Sequence, residues 1–250
     1  MASTNTKFKL YGYWRSGCSW RVRIALELKG IDYEYVAISL LPLVGNTTER
    51  LPTDYIEKNN MEQVPTLEII ENDDNNNIIR LTQSLAIIEY LDEKYPNKSG
   101  ETSIIGKDSL TRFKSRELSE LINSGVQPLQ NLAIQRSVTG FTPVHIPELL
   151  TDEDRAKITN DGKGAAKYYV LKGLLAFETL LEQNQPKDST FCLGNDVTLA
   201  DLCLVPQIYN ARRMTLDIEK YFPRCVAIDA ALNELDAFKK AHPSSCPDAK

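Results

Sequence analysis

The stretch Trp20–Lys29, closed by Gly30 and set between two strand-like segments, constrains the fold more than any other feature of the chain. Before it, Phe8 and Leu10 alternate with lysines; after it, Tyr33-Glu34-Tyr35-Val36-Ala37-Ile38 is rich in the aromatic and β-branched residues that suit a pleated surface. Strand, helix and strand in that order make a βαβ unit, and a glycine just past a helix suits the left-handed turn that ends it. Two further strand-like runs, Val64-Pro65-Thr66-Leu67-Glu68-Ile69-Ile70 and Ile78-Ile79-Arg80-Leu81, flank the polar turn from Asn72 to Asn77 and read as a hairpin. Ser84–Tyr95 then carries Leu85, Ile88 and Leu91 at helical spacing and stops at Pro96, which predicts a helix.

Beyond Ile105 the strand signals fade. Leu110–Ile134, Gly164–Gln183, Thr198–Tyr209 and Val226–Ala237 are patterned as helices, and Thr198-Leu199-Ala200-Asp201 has the outline of a capping box with Asp in place of Glu. The expected organisation is an α/β domain over residues 1–96, a linker over 97–104 and an all-α domain over 105–250. Thr139–Gly162, with three prolines and an acidic run, reads as a long inter-helix loop, with or without a short helix in it, and the Asn-rich turn and the tail Pro243–Lys250 are expected to be mobile.

With 250 residues, 42% of them hydrophobic, the chain can bury a real core, and its net charge of −5 argues against a nucleic-acid binder that works by neutralising phosphates. The polar N-terminus has no apolar signal core, and no long apolar run suits a membrane, so a cytoplasmic location is expected. Five scattered cysteines without a CxxC pair fit reduced thiols rather than a disulfide framework. Only two histidines are present, which argues against a His/Cys metal site and, with no GxSxG elbow, against a Ser-His-Asp hydrolase.

Chemistry concentrates in Arg15-Ser16-Gly17-Cys18-Ser19-Trp20, where small hydroxyl and thiol groups meet a helix start. The first turn of a helix has unpaired N–H groups and a partial positive charge, so it suits an anion. Two readings stay open: Ser16 and Ser19 as plain caps with Cys18 as a small buried residue, or a hydroxyl and helix N–H groups stabilising a thiolate. Lowering a thiol pKa by about 2 units takes about 2.7 kcal/mol, within reach of one charge-assisted hydrogen bond plus the helix dipole. Val64-Pro65 is either an ordinary strand start or a cis turn offering the Val64 N–H and C=O to an extended peptide. Gln83-Ser84 is either a helix cap or a carboxylate site.

In that order, Ser16, Val64-Pro65 and Gln83-Ser84 resemble the glutathione-binding half of the glutathione transferase superfamily. Ser-Gly-Cys-Ser-Trp-Arg-Val-Arg-Ile-Ala-Leu from Ser16 resembles, more narrowly, the zeta-class signature S-S-C-x-W/H-R-V-R-I-A-L. Gln63–Leu67, Gln83–Leu91, Gln127–Leu132 and Val197–Gln207 resemble the same class, so the likeness spans nearly the whole chain, lapsing in Leu41–Asn60 and Thr139–Gly162. The resemblance implies an N-terminal thioredoxin-like domain, a C-terminal helical domain and a homodimer. It implies glutathione as cofactor, with Ser16 as partner of its sulfur and Cys18 beside the site; Gly17 replaces the second motif serine, shifting more of the thiolate stabilisation onto Ser16 and backbone N–H groups. Gly17 and Ser19 complete this glutathione-binding segment. Val64 is implied to pair with the cysteinyl backbone, Gln83 and Ser84 to hold the γ-glutamyl end, and Gln127 and Asn131 to line the cleft. A glutamine usual before the Val-Pro turn has no clear counterpart among Pro42–Pro52.

Zeta-class enzymes isomerise maleylacetoacetate to fumarylacetoacetate in phenylalanine and tyrosine catabolism, so the resemblance implies this reaction, with glutathione transfer to small electrophiles such as α-halo acids as a second activity. Arg213, in a segment that resembles one whose arginine reaches the active site, and Arg15, just before the motif, are each either a holder of the dianionic substrate or an ordinary surface arginine. Three other readings are a transferase acting mainly by conjugation, a non-catalytic binding module of the same fold, and a redox enzyme using Cys18 as nucleophile.

Overall fold

The structure, a computed structural model, describes residues 6–40, 51–71, 77–95 and 103–249. The expected Asn-rich turn, the linker from 97 and part of the Leu41–Asn60 connection lie largely outside the described residues. Two compact units emerge, Met1–Ile105 with Asn233–Lys250, and Gly106–Leu232.

In the first unit, β1 (Thr6–Gly12), α1 (Gly17–Leu28) and β2 (Glu34–Ala37) form the βαβ element, with β1 and β2 parallel. A short helix α2 (Thr53–Ile56) precedes the hairpin β3 (Thr66–Glu71) and β4 (Asn77–Thr82), and α3 (Ser84–Lys94) follows. The sheet order is β2-β1-β3-β4, with β3 antiparallel to both neighbours. Leu10, Leu67 and Ile69 of the sheet and Val22, Ile24, Leu26, Ile87, Ile88 and Leu91 of the helices are all buried, so α1 and α3 close the core.

Gly30 takes φ +59°, the left-handed turn its position predicts. At Gly12 the need is space: a Cβ there would lie 3.1 Å from Tyr35 Cε2 and 3.2 Å from Ser19 Cβ, so α1 crosses β1 closely just before the Ser16 loop. At the far end of α1 the buried Lys29 ammonium meets Asp92 of α3 at 2.5 Å, and Asp92 also accepts the Ile104 N–H at 3.0 Å. Burial raises the Asp92 pKa, but these bonds and one from Ser103 outweigh it and hold the carboxyl below its usual range.

The second unit is helical: α4 (Ser109–Asn123), α5 (Leu132–Ser137), α6 (Asp152–Ala156), α7 (Gly162–Asn184), α8 (Leu199–Arg213), α9 (Ile218–Tyr221) and α10 (Pro223–Leu232). Leu199 to Ile208 of α8 are buried without interruption, as expected of a helix enclosed by neighbours; α4 and α10 pack on it. The capping box forms: the Asp201 carboxylate accepts the Thr198 N–H at 2.7 Å and hydroxyl at 2.8 Å, and reaches the Cys192 N–H at 2.9 Å.

Three expectations need correcting. The continuous helix over Leu110–Ile134 is two helices, because Gly125 and Pro128 stand where the chain turns between α4 and α5. Val226–Ala237 likewise divides into α10 and α11 (Asp236–Ala241). The tail, assigned by its sequence position to the helical domain and expected to be mobile, groups with the first unit: Cys246 is buried there, and Arg23 Nε of α1 donates to Ala241 O at 3.0 Å.

Candidate functional site

Strand register decides which segments meet. Tyr11 of β1 pairs with Thr66 of β3, and Thr66 with Thr82 of β4, so the exits of β1 and β4 lie beside the entrance of β3. The chain leaves β1 toward Ser16, enters β3 through Val64-Pro65, and leaves β4 through Gln83 to Ser84. Three separate sequence motifs thereby converge on one end of one sheet.

Ser16 is the N-cap of α1, with φ −69° and ψ 116°. Its Oγ accepts the Ser19 N–H at 3.2 Å and its C=O accepts the Trp20 N–H at 2.9 Å, which leaves the hydroxyl hydrogen to donate elsewhere. No acidic side chain occupies the first turn of α1, so the helix supplies no anion of its own to its positive end. Cys18 is half-buried and forms no disulfide among the described residues. Ser19 has no exposed surface, and its side chain packs where Gly12 leaves room; the hydroxyl expected among ligand contacts is enclosed. Gly17 is buried as well and contributes backbone only.

A rival hydroxyl, on the strand that leads to Ser16, is committed. Tyr11 donates to Glu68 Oε2 at 2.9 Å, while Arg80 and Lys58 meet the other oxygen of that carboxylate at 2.8 and 3.3 Å. Burial and the Glu68 charge push the Tyr11 phenol well above its ordinary value, so it holds its proton.

The Val64–Pro65 bond is cis. Tyr55 of α2 and Asn59 prop the turn by donating to Gln63 O, the amide at 2.6 Å, and the same two side chains reach Thr66 Oγ1 at 3.2 and 3.3 Å. Val64 packs with Tyr11, Ile38, Leu51 and Tyr55, and among the described residues its N–H and C=O have no hydrogen-bond partner. Gln83 has φ +69° and ψ 109°, a sparsely populated conformation for a residue with a side chain, costing roughly 1–3 kcal/mol. It is exposed, whereas Ser84 behind it is 4% exposed and its Oγ accepts from Arg21 Nη1 at 3.4 Å. A carboxylate at this helix start would meet a hydroxyl, helix N–H groups and a buried guanidinium behind them.

Arg15 is half-buried with its guanidinium 4.3 Å from the centre of the Trp14 ring. In the second unit, Arg213 closes α8; it is exposed, 3.4 Å from Asn210 Oδ1, and makes no ion pair among the described residues. Its neighbour Arg212 is tied to Asp229 at 2.6 Å and Glu219 at 3.0 Å, which separates a structural arginine from an available one. Asn131 caps α5 through Oδ1 on the Ala133 N–H at 2.9 Å, which turns its amide oxygen to the helix start. Gln127 is half-buried in the turn before it.

Residues 10–99 match the family model described as the glutathione S-transferase N-terminal domain. A probable maleylacetoacetate isomerase of Drosophila melanogaster is 39% identical over 96% of this chain and 89% of its own. Glutathione S-transferase Z1 of Arabidopsis thaliana is 37% identical over 99% and 96%. This chain belongs to the zeta class of glutathione transferases. Among solved structures, the maleylacetoacetate isomerase of Anaeromyxobacter dehalogenans with glutathione bound in its active site is 35% identical and covers 98% of this chain and 99% of that one, with a TM-score of 0.75. The thioredoxin-like N-terminal domain and helical C-terminal portion expected of the class are the observed fold.

Reasoning from sequence misses several of the side-chain bonds that the structure shows. Tyr55 and Asn59, which prop the Val64 turn, carry no motif. Gln130 and Gln207 exchange amide hydrogen bonds at 3.0 and 3.1 Å from positions 77 residues apart. Their only signal is their place inside stretches that resemble the class.

Proposed function

We propose that this chain is a glutathione-dependent isomerase that converts maleylacetoacetate to fumarylacetoacetate in phenylalanine and tyrosine catabolism and also transfers glutathione to small electrophiles such as α-halo acids. The observation that carries the reading is the convergence of Ser16, Val64 and Gln83-Ser84 at one end of the sheet. The donor set there fits an extended, anionic thiol peptide. Ser16 offers a hydroxyl hydrogen at a helix N-terminus, Val64 a free N–H and C=O, and Ser84 a hydroxyl backed by Arg21.

Bound glutathione would supply the sulfur that adds to the cis double bond and leaves once the resulting single bond has turned, so it is regenerated. Ser16 holds the sulfur as thiolate by donating its hydroxyl hydrogen, helped by the α1 dipole. Tyr11 takes no part, since its proton is held against Glu68. Val64 aligns the peptide in the manner of an added strand, and Gln83 and Ser84 anchor its γ-glutamyl carboxylate. Arg15 and Arg213 hold the substrate carboxylates, and a guanidinium near the enolate oxygen favours the addition by opposing its charge. Gln127 and Asn131 line the cleft. Cys18 is a neighbour of the reacting sulfur and not the nucleophile.

The same reading makes the protein a cytoplasmic homodimer. Among the described residues no helix is long and apolar enough to cross a membrane, and the cysteines form no disulfide. Leu110 and Phe113, three residues apart on α4, are each 60% exposed, an apolar pair suited to a subunit contact. Purified protein should isomerise a maleylacetone-type substrate only when glutathione is present and leave the glutathione total unchanged, whereas an α-halo acid should consume it. Equal isomerisation with and without glutathione would sink the reading, and a monomer by sedimentation would remove the dimer.

A further inference from the structure

The loop between β1 and α1 is held from an unexpected quarter. Asp248, near the end of the tail, accepts the Trp14 N–H on Oδ2 at 3.1 Å. Arg23 Nη2 donates to Trp14 O at 3.1 Å while its Nε donates to Ala241 O at 3.0 Å. Both backbone polar groups of Trp14 are thereby fixed, one by the tail itself and one by an arginine that also grips the start of the tail. His242 packs edge-on against Trp20 of α1 with ring centres 5.3 Å apart, and Pro243 and Cys246 are buried, so the tail is seated at several points. Trp14 in turn bears on the site. Its ring carries the Arg15 guanidinium at 4.3 Å, and the preceding carbonyl, Tyr13 O, accepts the Ser16 N–H at 2.9 Å.

We propose that Asp248 is a positioning residue for Ser16 and Arg15: the tail straps the β1–α1 loop into the geometry that holds a thiolate. The inference rests on the glutathione reading above. A loop this short has few bonds of its own and opens readily unless tied. Asp248 supplies a charge-assisted tie from a half-buried position outside the sheet and helices that form the core. Losing it loosens the Ser16 donor while leaving Val64 and Ser84 in place, so the chemistry at sulfur suffers more than the binding of the peptide.

The test uses the full chain as wild type, Asp248→Ala, Asp248→Asn and Ser245→Ala, the last being a tail residue whose exposed hydroxyl donates to Lys239 O, away from Trp14. The thiol pKa of bound glutathione is read from its ultraviolet thiolate absorbance, and its Kd by calorimetry. Asp248→Ala should raise the bound thiol pKa by about one pH unit and lower the isomerisation rate at neutral pH about tenfold, with Kd within about twofold. Asp248→Asn, which keeps an oxygen to accept the Trp14 N–H, should stay within about threefold of the wild-type rate, and Ser245→Ala should match wild type. Should the alanine variant not fold, Asp248→Glu, which moves the carboxylate by one methylene, should shift the thiol pKa in the same direction. A wild-type thiol pKa in Asp248→Ala or Asp248→Glu, or equal losses in the Ala and Asn variants, overturns the strap alone. A wild-type chain that leaves the glutathione thiol at its free pKa overturns the functional reading and the strap together.

Discussion

The N-termini of α1 and α8 begin alike and end differently. Each opens on a small hydroxyl residue, Ser16 or Thr198, in extended conformation. At α8 the helix completes itself: Asp201 lies in its own first turn, is fully buried, and takes the Thr198 N–H and hydroxyl. At α1 the first turn holds no acid, and the capping hydroxyl is half-buried with its hydrogen uncommitted. A helix start that supplies its own carboxylate is finished as structure, whereas one that lacks it keeps an unmet demand for an anion. That contrast, more than the presence of a serine, is what makes the Ser16 end a place for a thiolate.

Exchanging the two kinds of loss gives the largest expected effects. Ser16→Ala should lower the glutathione-dependent isomerisation rate about 100- to 1,000-fold, the size expected for losing one preorganised donor to a developing or fixed anion. Its stability should fall by only about 1 kcal/mol, because the one bond lost is the part-buried cap bond from the Ser19 N–H. Asp201→Ala should do the reverse. It strands the Thr198 and Cys192 N–H groups in a fully enclosed place, so urea unfolding should show a loss of about 3 kcal/mol with the rate per folded molecule unchanged. If Asp201→Ala impaired catalysis while Ser16→Ala unfolded the protein, the contrast between the two helix starts would be mistaken.

A smaller effect separates sulfur from oxygen within the site. Cys18→Ala should cost about tenfold or less in rate, because a thiol beside a bound thiolate adds a weak contact where Ser16 adds a directed hydrogen bond. Steady-state kinetics with saturating glutathione would check the order, and a Cys18 loss exceeding the Ser16 loss would make Cys18 the nucleophile.

Much of this was open to reading because the signals are local. The βαβ unit, the hairpin, the Ser16 helix start and the Thr198–Asp201 box are each written within a few residues, and their strand register follows once the elements exist. Breaks in long helices were less legible, since Gly125 and Pro128 lie inside an otherwise helical pattern. Least legible were the bonds that cross the chain. Asp248 and Trp14 are 234 positions apart, and nothing around either residue announces the other, so a polar, Pro-containing tail reads as mobile when it is seated. The props of the Val64 turn, Tyr55 and Asn59, are hidden for the same reason: their role exists only after the turn has folded against them.

A third helix start extends the comparison to acid. At α6, Thr151 caps a first turn that contains Asp152, Glu153 and Asp154, and Asp154 accepts the Thr151 hydroxyl at 2.8 Å and the Lys157 ammonium at 2.8 Å, with Tyr221 donating as well. Bonds from Lys157 and Tyr221 hold the Asp154 carboxyl down to about 2, whereas burial pushes Asp201 up despite the donors around it. The two self-filled helix starts therefore respond to acid with opposite signs. A depressed carboxyl stabilises the fold above its unfolded value of about 4 and loses that contribution as pH falls toward its folded value near 2; a raised one favours the folded state in its protonated form, and its contribution falls as pH rises through the folded value. Between those two pH values unfolding free energy should decline less steeply in Asp154→Asn than in wild type, whereas the Asp201→Asn difference lies above about pH 4, where the variant should gain more, or lose less, stability with rising pH than wild type. Parallel slopes in all three proteins would mean that neither carboxyl is coupled to folding in the way its partners suggest, and the distinction between helix starts that fill themselves and the one that waits for a ligand would rest on the α1 site alone.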